Sequence, residues 1–109
     1  MPKEIYRLHA ELCKVLSSPA RLEILDTLRD GRKSVGELVN ITGLGQANIS
    51  QHLAIMKRNG VVNSERERNN GYYSLANAKI MKAFDIIRDM LRERVRKELK
   101  EVTITKVKR

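Results

Sequence analysis

Apolar residues recur every three or four positions in residues 1–16, which is the spacing of one face of an amphipathic helix. The charged residues of this stretch fall on the remaining surface. The pattern predicts an amphipathic first helix, and the positions on its apolar face are Ile5, Leu8, Leu12 and either Val15 or Leu16.

A second helix is predicted to begin at Pro19, because the two preceding serines supply a capping hydroxyl and proline suits the first helical position. Leu22, Leu25 and Leu28 share its buried side. Gly31 is expected to end it.

Two short helices follow, separated by a glycine turn. Ser34 and Glu37 have the spacing of a capping box, in which each side chain bonds a free backbone N–H group at a helix start. The third helix is therefore expected to begin there and to stop at Gly43, and a fourth begins after Gly45. The apolar positions of the fourth helix, spaced to face a core, are Ile49, Leu53 and Met56.

The segment after the fourth helix predicts a small β-hairpin. Residues 61–68 are too polar for a buried strand but suit an arm with two different faces. Asn70-Gly71 is typical of a type I′ turn, so we expect the chain to reverse there and return through a second strand. Tyr72 and Tyr73 lie on opposite faces of that strand, so one is expected in the core and only the other can approach a partner.

A long apolar stripe begins after Asn77 and predicts a last helix of about 20 residues. Such a stripe extends beyond what one small domain can cover, so it is expected to pack on a second copy or another protein. Its members are Ile80, Phe84, Ile87, Leu91, Val95 and Leu99.

The order of these elements predicts a winged helix-turn-helix, a mostly α fold in which four helices, a small β-hairpin wing and a last helix follow one another. No internal repeat or second domain is found. We expect one DNA-binding and dimerisation domain over residues 1–101, followed by a short, basic, β-prone tail over residues 102–109.

The charge of the chain points to an anionic partner. The formal net charge is +9, so the surface is expected to attract polyanions such as nucleic acid. Aromatic residues make up 4% of the chain and Trp is absent, which disfavours a stacking platform for single strands. No stretch approaches the roughly 20 apolar residues of a membrane span and no secretory signal is found, so we expect a cytoplasmic protein without a membrane partner.

The residues at the start of the fourth helix are of types that recognise bases. Gln and Asn can form two parallel hydrogen bonds with adenine, Ser and His can reach base edges or phosphates, and Ala can meet a thymine methyl group. A solvated helix face would show the same polarity, but the turn, the hairpin and the charge together favour double-stranded DNA. The predicted recognition residues are Gln46, Ala47, Asn48, Ser50, Gln51 and His52.

A second set of residues is predicted to contact the DNA backbone, which supplies affinity but little sequence choice. Glu65 and Glu67 interrupt this set, so some of its cations are either paired or merely solvated. The set comprises Lys33, Lys57, Arg58, Arg66, Arg68, Asn69 and Asn70.

Three segments together resemble the ArsR/SmtB family of bacterial and archaeal repressors, over about residues 16–75. They are Leu16-Ser-Ser-Pro-Ala-Arg-Leu-Glu-Ile-Leu25, Ser34-Val-Gly-Glu-Leu38 and Gln46-Ala-Asn-Ile-Ser-Gln-His-Leu53. The resemblance implies a homodimer built from the first and last helices, an inverted-repeat operator, and release from DNA when an effector binds or a thiol is modified. The dimer contacts then fall on Ile5, Leu8, Leu12, Phe84, Ile87, Leu91 and Val95.

The chain departs from the metal-sensing pattern of that family. Its third helix has no cysteine pair, and the last helix offers Asp85 and Asp89 but no histidine, so neither usual metal site can form. No metal and no cofactor are therefore predicted, and no effector is identified. Gly45 also replaces the small hydroxyl residue common at that helix start, though glycine is an acceptable cap.

Cys13, the only cysteine, allows two interpretations. It shares a helix face with His9, at a spacing that suits two ligands of a soft metal or a thiol sensor. A lone cysteine among leucines is more often a small buried apolar residue, and we favour that interpretation.

Other function classes fit less well. An enzyme is not expected, because no nucleophile–base pair, metal motif or phosphate-binding glycine loop is found. A winged helix that binds RNA or another protein, without sequence-specific DNA recognition, is the main alternative, because fold does not determine function. A regulator without any effector also remains open.

Overall fold

The computed structural model describes the backbone of residues 1–107 and the side chains of residues 1–102. The chain forms two compact units, the first from Met1 to Ala78 and the second from Lys79 onward. The first unit contains four α-helices and a two-stranded sheet, and the second is described as a single helix. The predicted fold class and element order are confirmed.

The first two helices begin and end close to the predicted residues. Helix α1 (Lys3–Leu16) is amphipathic but buries no residue within the single chain. Helix α2 (Pro19–Thr27) has the predicted cap, since Ser18 Oγ accepts a hydrogen bond from the backbone N–H of Arg21 at 3.3 Å. One 3₁₀ turn, Leu28–Asp30, extends it to the expected glycine.

Helix α3 (Val35–Thr42) and helix α4 (Gln46–Arg58) form the helix-turn-helix. Both halves of the predicted capping box are present. Ser34 Oγ accepts from the backbone N–H of Glu37 at 3.1 Å, and Glu37 Oε1 accepts from the backbone N–H of Ser34 at 3.1 Å. Gly43 ends α3 in the left-handed conformation, at φ +75°.

Thr42 holds the turn between these two helices. Its Oγ1 donates to the carbonyl oxygen of Leu38 at 2.7 Å and accepts from the backbone N–H of Leu44 at 3.1 Å. One hydroxyl group therefore bonds both the last turn of α3 and the segment that leads into α4.

Strands β1 (Val62–Glu67) and β2 (Asn70–Leu75) form the predicted antiparallel hairpin. The turn predicted at Asn70-Gly71 is wrong, because Asn70 pairs with Glu67 and Gly71 with Arg66 inside the ladder. The turn is made by the two residues before them, Arg68-Asn69.

The base of the hairpin explains this register. Val62 is 1% exposed and pairs with the half-buried Leu75, so packing at this end of the hairpin determines which residues face each other further along the strands. Arg68 takes the left-handed conformation at φ +59°, which is unusual for a residue other than glycine. Tertiary burial at one end of the hairpin thus overrides the local turn preference at the other.

The core of the first unit is formed by residues of α2, the 3₁₀ turn, α3, α4 and β1. The three apolar positions predicted for α4 are confirmed as fully buried, and Leu22, predicted on the buried side of α2, is half-buried whereas Ile24 is fully buried. Replacing one of these leucines with alanine is expected to cost about 2–5 kcal/mol. The buried side chains are Ile24, Leu25, Leu28, Leu38, Ile49, Leu53, Met56, Val61 and Val62.

Helix α5 (Lys79–Val107) has 29 residues and is longer than predicted. Residues 102–107, which we expected to form a tail, continue the helix, and residues 108–109 of that tail lie outside the described residues. The segment before them is rich in Arg, Lys and Glu, which favour helix, and extending an existing helix requires no new nucleation.

Candidate nucleic-acid interface

Helix α4 presents two different faces. Ile49, Leu53 and Met56 are 0% exposed, and their burial orients the helix on the core. Five of the six predicted recognition residues lie exposed in its first two turns. We call them the α4 surface, which comprises Gln46, Ala47, Asn48, Ser50 and Gln51.

His52, the sixth predicted residue, is half-buried and already has a partner. Its Nδ1 accepts a hydrogen bond from Nε of Arg21 at 3.1 Å. Nη1 of the same arginine donates to the carbonyl oxygen of Val15 at 3.0 Å. The Nε2 atom of His52 has no hydrogen-bond partner among the described residues, so it is the ring nitrogen left for a further partner.

The first turn of α4 lacks a side-chain cap, because the N-cap residue is Gly45. The free N–H groups at a helix start carry partial positive charge and attract anions such as phosphate. The same end of the helix that exposes the α4 surface therefore also favours a negatively charged partner.

The wing is the hairpin of β1 and β2, and its acidic and basic side chains lie on different faces because successive residues of a strand point to opposite sides. Cross-strand partners share a face, and the register pairs Glu65 with Tyr72 and Arg66 with Gly71. Residues two apart in a strand also share a face, so Glu67 lies with Glu65. The two glutamates consequently lie on one face of β1 and Arg66 on the other.

Arg32 occupies the face with the glutamates, and our sequence analysis did not identify it. Its Nη1 donates to Glu65 Oε1 at 2.9 Å, its Nη2 donates to the Glu67 carboxylate, and its Cζ lies 4.3 Å from the centre of the Tyr72 ring. The hydrogen bonds to Glu65 and then Glu67 raise the pKa of Arg32 above its ordinary value. We call these four residues the Arg32 cluster.

Local sequence spacing offers no sign of this cluster, since Arg32 lies 33 residues before Glu65. The sequence contained one weak indication of it. Glu65 and Glu67 lie on one face of a predicted strand whose own arginine, Arg66, lies on the opposite face, so a cation from another segment is needed to pair with them.

The remaining predicted backbone contacts differ in their surroundings. The side chains of Lys57, Arg58, Arg66 and Arg68 are exposed, and the described part of the chain provides no ion pair for them. Lys33 is half-buried, with Nζ donating to the carbonyl oxygen of Gly31 at 3.3 Å. Asn69 and Asn70 are exposed at the tip of the wing.

The family model of bacterial regulatory proteins of the arsR family matches residues 18–64. Rv0081 of Mycobacterium tuberculosis, described as an uncharacterized HTH-type transcriptional regulator, is 40% identical over 88 residues, which are 80% of this chain and 77% of that protein. The chain belongs to the ArsR family. The resemblance found in the sequence is confirmed.

Solved structures of similar proteins share the fold. The crystal structure of Rv0081 matches with a TM-score of 0.78 and 36% identity, over 87% of this chain and 96% of that chain. The solution structure of Mb0332 from Mycobacterium bovis, described as a homodimeric winged helix-turn-helix DNA-binding domain, matches with a TM-score of 0.75 and 27% identity, over 85% of this chain and 86% of that chain. A biofilm growth-associated repressor of Xylella fastidiosa is 41% identical over 70 residues, 64% of this chain and 61% of that protein.

Both helices predicted to dimerise in this ArsR-family chain expose apolar side chains. Phe84 is the exception, because it is only 6% exposed and offers little surface to a partner. The exposed fractions are 42% for Ile5, 48% for Leu8 and 40% for Leu12 on α1, and 53% for Ile87, 46% for Leu91 and 50% for Val95 on α5.

Cys13 is exposed, so the expectation of a buried apolar cysteine is wrong for the single chain. The physical reason is that α1 buries none of its residues within one protomer. Among the described residues of this ArsR-family chain, no three His, Cys, Asp or Glu side chains lie close enough together to hold a metal ion. In the same part of the chain, no helix combines the length and apolar character needed to cross a bilayer.

Proposed function

We propose that this ArsR-family chain is a sequence-specific transcriptional regulator that binds double-stranded DNA as a homodimer and represses from an inverted-repeat operator. The observation that carries the proposal is the α4 surface. Five side chains suited to base contacts are exposed on a helix whose opposite face is fully buried.

Base recognition is supported by the chemistry of that surface. Gln46, Asn48 and Gln51 each offer an amide that both donates and accepts, which suits the edge of adenine in the major groove. Ala47 is small enough for contact with a thymine methyl group. The Nε2 atom of His52 remains available for a base or phosphate, while its Nδ1 is held by the protein.

Backbone binding is supported by the unpaired cations. Arg66 and Arg68 on the wing, and Lys57 and Arg58 at the end of α4, are exposed and not neutralised by carboxylates in the described residues. Such cations give affinity that falls steeply with salt concentration, and they orient the protein on the duplex.

A homodimer is supported by the exposed apolar residues of α1 and α5. Apolar surface of this extent on a small domain is normally covered by another chain. Two-fold symmetry would place two copies of α4 about one helical turn of DNA apart, which matches an inverted repeat. We also propose a cytoplasmic location, since a DNA-binding regulator acts where the DNA is.

Selection from randomised duplex DNA, at stated salt, tests sequence recognition. We expect enrichment of an inverted repeat, and we expect Gln46→Ala and Gln51→Ala each to weaken binding to it by about ten-fold or more while binding to random DNA is unchanged. Asn40→Ala removes an exposed amide of α3 and is the matched control. Enrichment that is identical for wild type and both glutamine variants would refute base recognition by α4.

A parallel selection that offers randomised RNA beside randomised duplex DNA separates the alternative functions. Enrichment of RNA over duplex DNA would favour an RNA-binding winged helix. No enrichment of either nucleic acid would favour a protein-interaction module.

Sedimentation of single variants tests the dimer. Leu8→Glu on α1 and Leu91→Glu on α5 should each shift the protein towards monomer and lower operator affinity. Ile41→Glu, on α3, is the control, because this residue is 58% exposed and lies outside both predicted dimer helices. Dimerisation unaffected by Leu8→Glu and Leu91→Glu would contradict the proposed interface.

A further inference from the structure

We infer that Arg32 is a positioning residue of the wing: it neutralises Glu65 and Glu67 and holds the hairpin, so that Arg66 and Arg68 can bind DNA phosphates. The inference rests on the proposed function, but its structural part can be measured without DNA. It assigns a role in DNA binding to a residue that does not itself contact the DNA.

The backbone next to Arg32 is attached to the wing. The N–H of Lys33 donates to the carbonyl oxygen of Tyr73 at 2.9 Å, and the N–H of Tyr73 donates to the carbonyl oxygen of Lys33 at 2.8 Å. This bridge adds a short third segment beside β2. Consecutive residues of an extended segment point to opposite faces, so Lys33 lies on the face of Tyr73 and Arg32 on the face of Tyr72.

The side chain of Arg32 makes three contacts from this position. Two are the ion pairs with Glu65 and Glu67, and the third is the stacking on the Tyr72 ring. A single exposed ion pair contributes little to stability, but a network on an anchored backbone loses less side-chain entropy per contact. The arginine therefore links the segment before α3 to both strands of the hairpin.

The pairing of Arg32 with the glutamates also affects the charge that Arg66 and Arg68 can present to DNA. Two uncompensated carboxylates on β1 would cancel Arg66 and Arg68 and would repel phosphates. With Arg32 in place, the glutamates are neutralised on their own face, and the two wing arginines keep their charge available. The wing behaves as a basic element only because a residue outside it supplies the third cation.

The test with DNA compares the salt dependence of binding to the selected operator. Arg32→Gln should weaken binding by about five- to ten-fold at low salt, and the loss should shrink at higher salt, where the uncompensated glutamates are screened. The triple variant Arg32→Gln, Glu65→Gln, Glu67→Gln should regain this loss, because no carboxylate is left uncompensated. A triple variant that binds the operator as weakly as Arg32→Gln would mean that Arg32 binds a phosphate directly, and would overturn the inference.

The test without DNA measures amide hydrogen exchange in β1 and β2. Arg32→Gln should speed exchange there severalfold, and the core amides of α4 should not change. Unchanged exchange in the hairpin would overturn the positioning role whether or not the chain binds DNA. Faster exchange in a chain that selects no DNA would refute the proposed function while leaving the role of Arg32 in the wing supported.

Arg7→Gln is the matched control for both tests. Arg7 also bridges two glutamates, Glu4 and Glu11, but it does so on α1. Its replacement removes the same charge and also leaves two carboxylates without their partner. We expect Arg7→Gln to change hairpin exchange and low-salt operator affinity much less than Arg32→Gln does. Equal effects of the two variants would mean that Arg32 acts only through net charge, and would refute the inference.

Discussion

The Nε atom of Arg21 donates a hydrogen bond to Nδ1 of His52 at 3.1 Å, across 31 positions of the sequence. Since the same guanidinium also bonds the carbonyl oxygen of Val15, one side chain joins the end of α1 to α4. A helix proposed to dimerise and a helix proposed to bind bases are thus connected within one protomer.

Arg21→Lys tests the strength of this connection. A lysine ammonium is a compact charge and lacks the planar fork that reaches both acceptors, so we expect the free energy of unfolding to fall by about 1–2 kcal/mol in denaturant titrations. Arg29→Lys, on an exposed arginine that pairs with Asp26, should change it by less than about 0.5 kcal/mol. Equal effects of the two substitutions would show that the hydrogen bonds of Arg21 stabilise the fold no more than an exposed ion pair does.

Replacement by alanine is expected to have opposite effects on stability at Gly43, which ends α3, and at Gly36, which lies inside α3. Gly43 has φ +75° and no atom near the position of a Cβ, so Gly43→Ala should destabilise by about 1–2 kcal/mol through backbone strain alone. Gly36 lies inside α3 with similar free space and no positive φ, so Gly36→Ala should stabilise by about 0.5–1 kcal/mol. Thermal unfolding of both variants measures the two signs, and effects of the same sign would contradict this account.

The capping box predicts a pH dependence. The hydrogen bond from the Ser34 backbone is the largest cause that lowers the pKa of Glu37 below its ordinary 4.5. Because the folded pKa is the lower one, the stabilisation is fully present above the unfolded pKa and is lost as the pH falls through the folded pKa.

Glu37→Gln isolates this contribution. Glutamine can accept the same hydrogen bond but does not titrate, so the variant should lose stability less steeply than wild type as the pH falls from 4.5 through the lower folded pKa. Glu23→Gln, an exposed position of α2 outside the capping box, is the control. Identical acid unfolding curves for wild type and Glu37→Gln would show that Glu37 is not the titrating group.

Cys13 distinguishes a sensor from a packing residue. It is exposed on α1 of the single chain, and the proposed dimer would cover that helix. We expect Cys13→Ser to respond to oxidant and to zinc as wild type does in operator binding. A response present in wild type and lost in Cys13→Ser would instead support a thiol or metal sensor.

Local residues were sufficient to predict much of the fold. Ser18 and Ser34 cap α2 and α3 as expected, Gly43 ends α3, and the buried positions of α4 match its periodicity. These features depend on contacts between residues within about four positions of one another, which a sequence pattern records directly.

The contacts that the sequence did not predict join distant segments. Arg32 meets Glu65 and Glu67 only because the hairpin folds back beside the segment before α3. His52 was expected to contact bases, but its Nδ1 is turned to Arg21 by the packing of α4 against α2. Neither relationship leaves a periodic trace along the chain.

The sequence by itself determined the limits of α1 to α4, the buried face of α4 and the chemistry exposed at its start, because hydrophobic period, caps and glycine turns act locally. Tertiary structure alone decided the register of the wing, where the pairing of the buried Val62 with the half-buried Leu75 placed the turn at Arg68-Asn69. It also decided which cations remain unpaired, because charges separated by some 30 positions neutralise one another only after the core has brought their strands and loops together.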